Sequence, residues 1–101
     1  MREWAEEMLA GLNPEALFMD GFDEAIIGVS VGQSGQNAIV VYDQDEIVRL
    51  LVAGGADIDD AWEYYSFNVE GAYVGPHTPI IITRPSSLER EAAGASTELE
   101  R

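Results

Sequence analysis

The chain has 101 residues, 47% of them apolar, with 19 acids against five bases, every base an arginine, and no cysteine. That length suits one hydrophobic core rather than two, the apolar fraction excludes general disorder, and the lack of thiols excludes disulfides, thiol nucleophiles and thiolate metal sites. A net charge of −14 excludes the phosphate-neutralising chemistry of a direct nucleic-acid binder and disfavours anionic membranes.

No apolar run reaches the roughly 18 to 20 residues that span a bilayer. The start, MREWAEEMLAGL, lacks the basic end and the unbroken apolar run of a signal peptide, so a soluble, cytoplasmic protein is expected. Three readings of the acidity compete: a solvated surface that keeps a small protein soluble, adaptation to salt, or mimicry of a nucleic-acid backbone. The first two outweigh the third, because net charge speaks to solubility and partners before mechanism.

In chain order, Arg2 to Leu12 reads as a short amphipathic helix, with Trp4, Ala5, Met8, Leu9 and Leu12 on one side. Asn13 followed by Pro14 is a helix-start signal for a second short turn through Ala16, Leu17 and Phe18, ended by Asp20 and Gly21. AIIGVSV, Ala25 to Val31, is a strand, and Ala38 to Tyr42 is a second, apolar on both faces. The link GQSGQN makes the two an antiparallel hairpin. It is not a phosphate-binding loop, because it leads into a strand and not into a helix N-terminus.

DQDE, Asp43 to Glu46, reads as a capping box opening a helix through Ile47, Val48, Leu50, Leu51 and Val52, which Gly54 and Gly55 end. A longer helix follows, capped by Asp57. At 100° per position, Ile58, Ala61, Trp62, Tyr65, Val69 and Ala72 share one core-facing arc. Asp59, Glu63, Ser66 and Glu70 form an acidic stripe elsewhere, with Tyr64 and Phe67 on the flank. Gly71, Gly75, Pro76 and Pro79 end the helix, and Ile80 to Thr83 is a third strand.

The elements add up to an α+β domain over residues 1–84. It has a three-stranded antiparallel sheet in the order 1-2-3, a helical hairpin on one face and a short N-terminal helix. Residues 85–101 read as a mobile acidic tail or frayed helix, with Leu88 and Leu99 as its few apolar anchors.

The runs MDGFDEAIIGV, VVYD and AWEYYSFNVEGAYVGPHTPI together resemble an uncharacterised group of short proteins encoded by tailed bacteriophages, over about residues 19–82. The resembling positions include Tyr65, Phe67, Asn68, Gly71, Ala72, Tyr73, Val74, Gly75, Thr78 and Pro79. Gln44 and Glu46 stand where that group commonly has a basic or cysteine-containing helix start. The resemblance implies a viral or prophage origin and a small accessory role, and it brings no catalytic residues with it.

Chemistry-bearing residues are few. His77 is the only histidine, set in a loop with no orienting partner visible in sequence, which makes it a turn residue before a catalyst. Asp20 and Asp23 precede the first strand and Asp43 follows the second, so a hairpin brings them to one end of the sheet as a candidate Mg²⁺ or Ca²⁺ site. The competing reading makes Asp43 a helix cap and Asp20 a turn residue. Asn68, beside the core arc, is expected to be a buried clamp on the Gly71 to Thr78 loop.

The leading expectation is a non-enzymatic protein that binds a host or viral protein through Asp59, Glu63, Tyr64, Phe67 and Glu70, where charge rims exposed aromatics. No cofactor is expected. The alternatives are a carboxylate-based, divalent-metal-dependent enzyme and a component that self-associates through the apolar second face of the sheet.

Overall fold

In the computed structural model, residues 1–85 are described; apart from Pro85, the tail expected over 85–101 lies outside them. Their order is helix α1 (Arg2–Leu12), a 3₁₀ turn (Asp23–Ala25), strand β1 (Ile26–Val29), a second 3₁₀ turn (Gln33–Gly35), strand β2 (Val40–Asp43), helix α2 (Gln44–Ala53), helix α3 (Ile58–Tyr64), a π-helical segment (Tyr65–Glu70) and strand β3 (Ile80–Ile82). The architecture is α+β, and the strand order is β1-β2-β3.

The hairpin forms as its sequence requires. β1 and β2 are antiparallel, with Ile26 opposite Tyr42 and Val29 opposite Val40, and a bulge between Ile26 and Gly28. Gly32 in the connection has φ +77°, and a Cβ there would lie 3.0 Å from the Gln36 carbonyl, so this reversal requires glycine.

The third strand differs from expectation. β3 runs parallel to β2, pairing Val41 with Ile80, Tyr42 with Ile81 and Asp43 with Ile82. The sheet is therefore mixed, not antiparallel. The expectation assumed that the chain re-enters the sheet where it left, but residues 71–79 first carry it back to the start of β2. Hydrogen bonds hold that return path: Leu17 N–H donates to the His77 carbonyl at 3.1 Å, Asn37 Nδ2 donates to the Pro76 carbonyl at 3.4 Å, and Thr78 Oγ1 donates to the Gly75 carbonyl at 2.7 Å. The helices between β2 and β3 supply the long crossover that a parallel pair needs.

The core consists of Ala5 and Leu9 of α1, Ala25, Ile26, Ala38, Val40, Tyr42, Ile47, Val48, Ala61, Tyr65 and Val69. Tyr42, Ile47 and Val40 are its largest fully buried side chains, each worth about 1.5–3 kcal/mol of burial. α1 packs on β1, α2 on β2, and α3 on α2.

The helical segment Ile58 to Glu70 buries a narrower stripe than a 100° arc implies. Ala61, Tyr65 and Val69 are buried, whereas Ile58, Trp62 and Ala72 are exposed. Its buried residues recur every fourth position. On an α-helix each such step drifts by about 40°, which turns a four-residue stripe off the core. The i→i+5 closure of Tyr65–Glu70 adds about one residue per turn and counters that drift, so Tyr65 and Val69 stay on the line that Ala61 begins.

Candidate functional site

Both central helices start where their aspartates cap them. The Asp43 carboxylate accepts from Glu46 N–H at 3.0 Å, and that of Asp57 accepts from Asp60 N–H at 2.9 Å. Asp43 is also the last residue of β2, so helix and strand meet with no loop between them. At 3% exposure it is one of two buried polar residues among those described, and Arg84 Nε donates to its Oδ2 at 2.5 Å. Burial alone would raise the Asp43 carboxyl; the Arg84 guanidinium and the Glu46 and Asp45 amides outweigh that effect and hold it below the usual carboxylate value.

This arrangement bears on the aspartates considered for a cation. Asp43 is committed to its helix and to Arg84. Asp23 accepts from Arg2 Nη1 at 2.9 Å, and Arg2 also bonds Glu6 at 2.9 Å and lies 4.0 Å over the Phe18 ring. Asp20 is exposed. Among the described residues, no group of three or more His, Cys, Asp or Glu side chains stands where it could hold a metal ion.

The buried amide is Asn13, not Asn68, which is exposed. Asn13 ends α1, its N–H bonded to the Leu9 carbonyl at 2.8 Å, and no second helix starts there: Pro14 and Glu15 make a turn and residues 16–19 run without helix. Its Nδ2 donates to the Ala38 carbonyl at 2.8 Å and lies 3.0 Å from His77 Nδ1, while its Oδ1 accepts from Glu15 N–H at 3.2 Å. Because a carbonyl can only accept, the amide is oriented with Nδ2 toward Ala38. His77 Nδ1 must then accept, which places the imidazole proton on Nε2, 3.4 Å from Glu15 Oε1. Asn13 performs the loop-clamping role expected of Asn68, and His77 does have an orienting partner, one that lies 64 residues away in sequence.

A cleft of about 570 Å³ lies between the π-helical segment, the loop after it, β3 and the stretch Leu17 to Met19. Its walls are mainly apolar, with Glu70, Gln44, Thr78 and the Tyr65 hydroxyl as polar points. Tyr65 stacks edge-on against Trp62, ring centroids 5.8 Å apart, and accepts from Gln44 Nε2 at 3.2 Å. Burial raises its phenol above the ordinary value; the Gln44 bond opposes that rise and the Glu70 charge adds to it.

Beside this cleft stands the face expected to meet a partner. Asp59, Glu63, Tyr64, Phe67 and Glu70 are all exposed, Phe67 at 76%. Past the π-helical segment, Tyr73 and Val74 continue the exposed apolar surface, Tyr73 at 74%. Neither was among the residues expected to meet a partner, because nothing local distinguishes a loop tyrosine in the core from one on the surface.

All three described arginines are paired with carboxylates of the chain itself: Arg2 with Glu6 and Asp23, Arg49 with Glu46, and Arg84 with Asp43. The surface is thus acidic with its described cations already engaged. No helix among the described residues is long and apolar enough to cross a membrane. Comparison with family models, with curated proteins and with solved structures gives no match to the chain.

Proposed function

We propose that the chain is a small acidic accessory protein that acts without chemistry of its own, by binding a basic surface of another protein. Phe67 carries the reading: a phenylalanine three-quarters exposed, in a helical segment whose other face is anchored by buried Tyr65 and Val69. Exposed Tyr64 lies three residues before Phe67, and two aromatics held in solvent on one helical segment are the kind of group that anchors an interface in a partner's pocket. Asp59, Glu63 and Glu70 around them would steer a cationic partner and be neutralised on contact. The viral or prophage origin and the host or viral identity of the partner, both implied by the resemblance to phage-encoded proteins, belong to the same proposal.

The test is affinity capture from a lysate of the source host, eluted stepwise with salt and identified by mass spectrometry, followed by binding of the purified partner. Phe67→Ala, and Glu63→Lys with Glu70→Lys, should each weaken binding, the charge reversal most at low ionic strength. Binding that both variants leave unchanged defeats the assignment.

A further inference from the structure

We infer that β3 accepts an extended peptide of a basic partner protein as a fourth strand. This goes beyond the reading above, because it uses the sheet edge, which shares only Glu70 with the face around Phe67. β3 pairs with β2 on one side only, and among the described residues no backbone bond engages its other edge. Every second N–H and C=O of such a strand points outward, the template that strand addition uses.

Two clefts open at this edge. Ile81 pairs with buried Tyr42 and, together with Ile82, Val69 and Glu70, lines the cleft of about 570 Å³. Ile80, on the opposite face of the strand, lines a second of about 510 Å³ with Ile39 and Pro76. Tyr73 lines both. Side chains of an added strand alternate between faces, so a peptide lying beside Ile80 and Ile81 would send neighbouring side chains toward different clefts.

Charge selects the occupant. The clefts want apolar groups, Glu70 wants a cation, and the chain at −14 with its described arginines internally paired attracts basic segments. The same charge opposes a second copy of this chain, which would bring −14 against −14. Pro79 and Pro85 flank the strand, limiting the augmentation to a few residues and disfavouring open-ended stacking.

The experiment titrates the full-length ¹⁵N-labelled chain with a short synthetic peptide alternating lysine and valine. Controls are its glutamate–valine counterpart and a version N-methylated at alternate residues along one edge. The lysine peptide should slow amide exchange within Ile80 to Thr83 at least about tenfold and shift Tyr73 and Glu70. N-methylation, which removes backbone donors and leaves the side chains, should weaken it roughly tenfold. Tyr73→Ala, at an exposed position that the fold does not need, should weaken binding several-fold.

Equal binding of the N-methylated or the glutamate peptide overturns the proposal, as does failure of the lysine peptide to bind. Shifts confined to Tyr64 and Phe67 also overturn it while sparing the face around Phe67. So do protected β3 amides in the peptide-free chain together with a doubled mass, which would make a second copy the occupant.

Discussion

Asn13 Nδ2 sits 3.0 Å from His77 Nδ1 and ties the end of the first helix to the loop that delivers the last strand. Because the same nitrogen serves the Ala38 carbonyl and Asn13 is buried, replacing it leaves acceptors without their donor. Asn13→Ala should cost about 1–3 kcal/mol in chemical denaturation. Asn13→Asp should be no better, since a carboxylate offers acceptors where donors are needed. In the wild-type protein, ¹⁵N spectra of the His77 ring should show the proton on Nε2, and a proton on Nδ1 would contradict the assigned bond.

That pair also shows what the sequence could and could not convey. The caps at Asp43 and Asp57 were legible because donor and acceptor lie three residues apart, and the β1–β2 hairpin because its link is short and glycine-rich. The direction of β3 was not, because it depends on where residues 71–79 run. That path is held by Asn13, Leu17 and Asn37, far away in sequence. The buried stripe of the segment Ile58 to Glu70 escapes the sequence for a related reason: a fixed 100° step admits Ile58 and Trp62 to the core, and only the π-helical closure past Tyr64 shows that the packing follows every fourth residue. The exposed face was legible in part. Its acids and Phe67 fall off the core arc at 100° per position, whereas Tyr73 belongs to a loop with no period to read.

The Asp43–Arg84 pair fixes an acid limb of stability. The Asp43 carboxyl lies below its ordinary value in the folded protein, so its contribution is complete above the unfolded-state value of about 3.9 and is lost as pH falls through the lower folded value. Arg84→Ala should cost about 1–2 kcal/mol at neutral pH, the half-exposed guanidinium moderating the loss. It should also flatten the stability-versus-pH curve below about pH 4. Asp43→Ala removes cap and pair together and should cost about 2–3 kcal/mol, whereas Asp43→Asn keeps a competent cap and should cost less. Equal losses for Ala and Asn, read from urea midpoints, would show that the cap contributes nothing.

Tyr42 and Tyr65 set the alkaline limb. Burial raises both phenols, against the Met19 amide for Tyr42 and the Gln44 amide for Tyr65. A raised folded value means stability that is complete below the unfolded value of about 10 and lost as pH rises through the folded one. Absorbance titration of the folded protein should therefore show phenolates forming above pH 10 that vanish from the curve in Tyr42→Phe and Tyr65→Phe. Disappearance of the earliest phenolate in either variant would contradict the burial of that ring.

The two faces of the helical segment separate stability from binding. Val69 belongs to the core while Phe67, two residues before it, stands in solvent. Val69→Ala should therefore cost about 1–3 kcal/mol, and Phe67→Ala should leave the unfolding free energy within about 0.5 kcal/mol. A large stability loss at Phe67 would mean that the ring is covered in solution, by a second copy or by chain outside the described residues. Sedimentation over a range of concentrations distinguishes these, because only a second copy makes the mass concentration-dependent. If Phe67→Ala instead keeps its stability and loses its partner, the ring is held in solvent for binding, as the reading of the acidic face requires.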